Sequence, residues 1–106
     1  MNKKVENMKL NFSVNYRTAW GESVNVVIDY VCTDGARKRQ DIRMTTQDGE
    51  HWSVETAIVE SRHRGISRFA YYYQIEAEDG YVLRREWTLV PRLIACASGH
   101  DYRMDD

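Results

Sequence analysis

Apolar and polar residues alternate along four stretches of the chain. In the first, Leu10, Phe12, Val14 and Tyr16 alternate with polar residues. Because successive side chains of a strand point to opposite faces, this period of two predicts half-buried β-strands. No stretch shows a helical period with a cap at each end. The three later apolar series are Val24, Val26, Ile28 and Tyr30; Trp52, Val54 and Ile58; and Phe69, Tyr71, Tyr73 and Ile75.

Five glycine-centred breaks separate these series. They read "WGES", "TDGAR", "QDGEH", "HRGIS" and "EDGYV", and three of them contain an Asp-Gly pair. Asp-Gly pairs tolerate the positive φ angles of hairpin turns. Short strands separated by such turns at roughly even spacing predict an antiparallel sandwich or barrel.

The length of 106 residues suits a single domain. We expect that domain to occupy residues 8–94, with residues 1–7 as a flexible N-terminal flank and residues 95–106 as a C-terminal flank or linker. Met8 is a second possible start, and the chain ends on "RMDD" just after an apolar strand. This ending suggests an N-terminal module excised from a longer protein, with a catalytic domain to follow.

Composition and charge exclude several classes of protein. A net charge of −1 gives no reason to expect nucleic acid as a partner. No apolar run approaches the roughly 18 residues of a membrane span, and no signal-peptide core follows the N-terminus. We therefore expect a cytoplasmic protein that contacts no membrane. Cys32 and Cys96 are too few for a disulfide framework or a four-ligand zinc site, and both are expected to be reduced thiols.

Catalytic motifs are poor in this sequence. His51, His63 and His100 fall on turn-like or terminal segments, away from any serine, cysteine or second histidine at a triad or metal spacing. We expect them to be solvated surface residues.

Charged residues and glycines give no stronger signal. Glu76, Glu78, Asp79 and Glu86 are interpreted as exposed hairpin charges, since paired acid/base work needs two carboxylates held in a cleft. The basic run Ala36–Gln40 is typical of a solvated turn at a strand edge. The six glycines are too dispersed for a phosphate loop. We expect no catalytic residue, metal or cofactor.

The tryptophans divide into buried and exposed. Trp52 is in phase with Val54 and Ile58, which predicts a core position, whereas Trp20 sits at a turn and Trp87 is flanked by charge. Exposed tryptophan rings often serve as a platform for a ligand or partner, and flat rings suit the apolar face of a pyranose. The alternative is that both rings fold back over the rim of the core. In the last apolar series, Tyr71 and Tyr73 are predicted to be core residues and Tyr72 to point the other way.

Three segments carry a family resemblance. "LNFSVNYRTAWGESVNVV", "DGEHWSVETAIVES" and "FAYYYQIEAEDGYVLRREWTLVPR" resemble the starch-binding domain of the family-20 carbohydrate-binding modules over residues 8–94. Within that family, the chain is most similar to the N-terminal modules of amylomaltase-like 4-α-glucanotransferases of the disproportionating-enzyme type. The resemblance implies an all-β, immunoglobulin-like antiparallel β-sandwich of about seven strands with no catalytic activity of its own.

The resemblance also implies binding residues for an α-1,4-glucan or maltooligosaccharide. Trp20 matches the aromatic residue of the second site, and Trp87 matches the tryptophan of the first. Tyr72 stands where many members carry a lysine that hydrogen bonds sugar hydroxyls, and its OH group can still donate and accept. With Glu86, these are the expected carbohydrate-binding residues.

Two departures from the family pattern weaken both expected sites. Ala36 stands near the position of the other tryptophan of the first site, and "TTQDGEH" lacks the partner aromatic residue of the second. Single-ring sites are expected to bind weakly, with Kd values from high micromolar to millimolar.

Two function classes remain open at this point. The first is a monomeric glucan-binding module that tethers substrate to a covalently attached 4-α-glucanotransferase. The second is a degenerate sandwich that has lost glycan binding and docks against other protein through Trp20 or Trp87. Nothing in the sequence favours an independent enzyme.

Overall fold

The computed structural model describes residues 6–60, 66–85, 92–95 and 101–106. These described residues form nine β-strands and no helix, so none of their segments is a helix that could cross a membrane. The strands are β1 Glu6–Asn15, β2 Glu22–Cys32, β3 Arg37–Arg43, β4 Thr45–Thr46, β5 His51–Glu60, β6 Ile66–Ala77, β7 Val82–Arg85, β8 Arg92–Ala95 and β9 Tyr102–Asp105.

The strands assemble into two sheets. One has the order β4-β5-β1-β9, and the other has the order β3-β2-β6, with β7 and β8 pairing with different parts of β6. All pairings are antiparallel except that of β9 with β1. The predicted all-β sandwich is confirmed. The described residues contain nine strands, whereas the resemblance implied about seven. Strands β4, β7, β8 and β9 are too short to show a clear alternation in the sequence.

The core lies between the two sheets and follows the predicted period of two. Leu10 and Phe12 of β1 face Ile28 of β2 and Phe69 of β6 across the interior, all at most 1% exposed. At roughly 25 cal/mol per Å² of buried apolar surface, this interior is the main stabilising term. The predicted core positions of Trp52, Tyr71 and Tyr73 are confirmed. The other buried members are Met8, Val24, Val26, Tyr30, Cys32, Met44, Ile66, Ile75 and Met104.

Tyr16 departs from the alternation. It follows the last residue of β1 and is 39% exposed, although the pattern placed it with the apolar series. The guanidinium of Arg84 lies 5.9 Å from the centre of its ring, and Arg84 Nε donates to its hydroxyl oxygen at 3.1 Å. The ring therefore covers an arginine of the other sheet instead of filling the core.

The expected flanks are wrong where the structure has strands: residues 6–7 of the expected N-terminal flank belong to β1, and residues 95 and 102–105 of the expected C-terminal flank belong to β8 and β9. Tyr102–Asp105 form β9, which runs parallel to β1, and Met104 is only 7% exposed. The amide of Asp106 donates to the Ser13 carbonyl at 2.7 Å. A four-residue strand with one buried apolar residue gives too weak a pattern to be recognised in the sequence.

The side chain of Asp106 connects the two sheets. Its Oδ2 accepts hydrogen bonds from the hydroxyls of Tyr71 at 3.0 Å and Tyr73 at 2.7 Å. Arg92 Nε lies 3.4 Å from its other carboxylate oxygen. Burial and this carboxylate raise the pKa of Tyr73 far above its ordinary value. Asp106, which directly follows β9, thus links this strand to β6 and β8.

Candidate functional site: the Trp20 groove

Trp20 projects from a tight turn between β1 and β2. The amide of Glu22 donates to the Ala19 carbonyl at 3.1 Å, and Gly21 takes a φ of 83°, which only glycine adopts readily. The Trp20 side chain is fully exposed, at 101% of its reference area. The sequence prediction of an exposed, turn-mounted ring is therefore confirmed.

Charged partners hold this turn in place. Glu22 Oε1 accepts from the amide of Ala19 at 2.8 Å, and Arg84 Nη2 donates to both carboxylate oxygens of Glu22 at 3.1 Å. The Ala19 amide, followed by Arg84, lowers the pKa of Glu22. Arg84 belongs to β7, so a third strand helps to hold the turn that joins β1 to β2.

The loop between β4 and β5 forms a second wall beside Trp20. The Asp48 carboxylate accepts from the amides of Glu50 at 2.9 Å and His51 at 2.8 Å, and it lies 2.6 Å from His51 Nδ1. The bonds from His51, followed by that from Glu50, hold the pKa of Asp48 far below its ordinary value, and Asp48 in turn raises the pKa of His51. His51 is exposed, as expected, but it has a carboxylate partner that the sequence did not indicate.

Thr18 joins the two walls. Its amide donates to the Gly49 carbonyl at 2.9 Å, and its Oγ1 donates to the same oxygen at 3.0 Å. Gly49 has a φ of 73°, as expected for the Asp-Gly turn predicted from the sequence. The same turn supplies the carbonyl that anchors the Trp20 turn.

A groove of about 550 Å³ lies between the walls. Most of its lining side chains carry hydroxyl, amide or carboxylate groups, and Trp20 supplies its exposed ring. Trp52 also lines it at 6% exposure, and within the described residues its buried Nε1 has no hydrogen-bond partner. The lining consists of Thr18, Ala19, Trp20, Gly21, Glu22, Thr46, Gln47, Asp48, Gly49, Trp52 and Glu78.

One cluster beside the groove offers donor atoms for a metal. Ligand atoms of Asp48, Glu50 and His51 all lie within 4.8 Å of one another. Three protein donors are fewer than the four ligands of a structural zinc site or the six to eight oxygens of a calcium site. Asp48 is also already engaged with two backbone amides, so these contacts explain the cluster as a loop-stabilising arrangement.

Of the other expected binding residues, Tyr72 belongs to the described part of the chain and does not line the Trp20 groove. Tyr72 is half-buried on the outer face of β6, where it pairs with Val27, five residues along β2 from Glu22. The Arg85 guanidinium lies 5.7 Å from the centre of its ring. Trp87 and Glu86 lie outside the described residues. Ala36, at the position of the missing tryptophan, packs against the core.

The sequence interpretation missed most of the groove. Thr18, Gln47, Asp48 and Glu78 come from three separate turns, and no local pattern shows that these turns meet in space. The signal that was available is the Asp-Gly pair at Asp48 and Gly49, which correctly marked one wall as a turn. Long-range bonds such as that from Thr18 to Gly49 become visible only in the fold.

Neither a scan against protein-family models nor a search of curated proteins matches this chain to a family or a relative.

Proposed function

We propose that this chain is a non-catalytic α-glucan-binding module, with the Trp20 groove as its binding site. The observation that carries the proposal is the fully exposed Trp20 ring, fixed on a hydrogen-bonded turn at the edge of a groove that hydroxyl, amide and carboxylate side chains also line. An exposed indole leaves a large apolar area in water, and stacking against the C–H face of a pyranose removes part of that cost.

The groove lining supports a sugar as the ligand. Gln47 presents an amide, Thr18 a hydroxyl, and Asp48 and Glu78 present carboxylates around the ring. Such groups donate to and accept from sugar hydroxyls, while the ring binds the apolar face. In this proposal Trp20 provides stacking and the polar side chains select the orientation of the glucan.

The fixed walls reduce the cost of binding. The Trp20 turn is held by Glu22 and Arg84, and the opposite loop is held by Asp48. A site that is already ordered loses less conformational entropy when the ligand binds. With one stacking ring, the affinity stays weak, and the module acts by raising the local concentration of substrate near an attached 4-α-glucanotransferase.

A docking module is the second candidate function. Its supporting observation is that Trp52, the other tryptophan in the groove, is buried and offers no second stacking face. A lone exposed tryptophan is also a common anchor of a protein interface. In this case the chain packs against other protein and binds no glucan.

Titration with maltoheptaose separates the two functions. We expect the wild-type domain to bind with a Kd of roughly 0.1 to a few millimolar, and Trp20→Ala to weaken binding by about tenfold or more. The Leu93→Ala variant is the matched control, because it removes an exposed apolar side chain, at 59% exposure, from a different strand. Calorimetry or intrinsic fluorescence gives the affinities. Equal Kd values for wild type and Trp20→Ala would show that Trp20 does not contribute to glucan binding.

A further inference from the structure

Four polar side chains are buried on the outer face of the five-stranded sheet. Ser23 and Asn25 of β2 and Gln74 and Glu76 of β6 are each at most 8% exposed. The interpretation of Glu76 as an exposed hairpin charge is therefore wrong, because it lies within β6 and is covered by its neighbours. The four side chains point away from the core, since they alternate with core residues such as Val24 and Ile75. Buried polar groups need hydrogen-bond partners, so this face must contain an internal network.

The network connects three adjacent strands. Ser23 Oγ donates to Asn25 Oδ1 at 3.0 Å, and Asn25 Nδ2 donates to Asp41 Oδ1 of β3 at 2.9 Å. Gln74 Nε2 donates to Asp41 Oδ2 at 3.2 Å and to Glu76 Oε2 at 2.7 Å. One amide nitrogen thus serves two carboxyl groups, one from edge strand β3 and one from central strand β6.

Gln74 Nε2 holds the buried carboxyl group of Glu76 beside the exposed carboxyl group of Asp41, and a buried carboxyl group next to a second carboxylate favours its protonated form. Desolvation, followed by hydrogen bonding and repulsion from Asp41, raises the pKa of Glu76, while Gln74 and Arg43 act in the opposite direction. Among the described residues, the charged groups of this network are Asp41 and Arg43 from β3 and Arg85 from β7, whose Nε lies 3.3 Å from Gln74 Oε1. From β2 the cluster receives only the neutral side chains of Ser23 and Asn25.

We propose that Asp41 and Glu76 share one proton, and that this proton is a pH-sensitive latch between edge strand β3 and central strand β6. In the latched state one carboxyl O–H donates to the other carboxylate, and Gln74 donates to both groups. When the proton leaves to solvent, two carboxylates face each other and repel. Strand β3 loosens first, because in the described part of the sheet it pairs only with β2.

The direction of the pH dependence follows from proton linkage. The folded chain holds the Glu76 proton more tightly than the unfolded chain does. Its contribution to stability is therefore complete below the ordinary pKa of a glutamate and is lost as the pH rises through the raised folded value. This dependence is opposite to that of an ordinary surface carboxylate in an ion pair.

A pH series of thermal unfolding on the whole domain tests the latch. Between about pH 5 and about pH 8, the midpoint of the wild type is expected to fall by about 5 °C relative to that of Glu76→Gln, whose neutral amide keeps a donor toward Asp41. Glu55→Gln removes an exposed mid-strand carboxylate from the other sheet and is the matched control. It is expected to follow the wild type.

Carboxyl-carbon NMR of the wild type gives a test that does not depend on any variant folding. The Glu76 signal is expected to titrate above the ordinary value of a glutamate. Titration of Glu76 near its ordinary value of about 4.3 would overturn the proposal. Parallel midpoints of wild type and Glu76→Gln across the pH series would overturn it as well.

Discussion

At the scale of single residues, the tryptophans of the described chain have opposite environments. Trp52 is 6% exposed within the core, and Trp20 is fully exposed on its turn. The sequence distinguished them because Trp52 keeps the period of two with Val54, whereas Trp20 precedes a glycine. The same reasoning could not reveal that the two residues line one groove.

Removal of the two rings should therefore have different consequences for stability. Trp52→Ala is expected to lower the free energy of unfolding by roughly 3 to 5 kcal/mol, because it leaves a cavity between the sheets. Trp20→Ala, which removes no core contact, is expected to change it by less than about 0.5 kcal/mol. Urea denaturation of both variants measures the difference. An unchanged midpoint for Trp52→Ala would show that Trp52 does not lie on the core-facing side of β5.

At the scale of the strands, the long alternating series predicted β1, β2, β5 and β6 well. Their apolar residues are numerous enough to show a period, and that period identifies the residues of β1, β2, β5 and β6 that reach the core. The short strands cannot be recognised from a local period. Strand β9, for example, depends on contacts with residues distant in sequence, and the amide of the following Asp106 donates to the Ser13 carbonyl. A local pattern contains no information about such a partner, so residues 102–105 were misassigned as a flank.

Strand β9 provides a direct stability test. Met104 is 7% exposed and belongs to the core, so Met104→Ala is expected to cost about 2 to 4 kcal/mol of unfolding free energy. Its neighbour Arg103 is exposed and points to the opposite face, and Arg103→Ala is expected to cost less than about 0.5 kcal/mol. Chemical denaturation compares the two. Equal, small effects would mean that the tail does not belong to the sandwich.

At the scale of the whole molecule, the sandwich separates its polar features. The Trp20 groove lies where the turns before β2, between β4 and β5 and after β6 meet, while the Asp41–Glu76 cluster occupies the outer face of the five-stranded sheet. Tyr72 shares that outer face, five residues along β2 from the Trp20 end. If the module binds glucan at Trp20, the ligand contacts turns that are tied together by Thr18 and Gly49, so binding does not require the strands to move.

The most direct test of glucan binding is a two-dimensional amide NMR titration of the domain with β-cyclodextrin, in which the indole signals of the three tryptophans are followed separately. The proposed function predicts that the Trp20 signal and the amides of residues 46–50 shift together, saturating at millimolar ligand, while the amides of β9 stay in place. If the Trp20 signal does not move at millimolar β-cyclodextrin, the glucan-binding proposal is contradicted and the docking function takes its place.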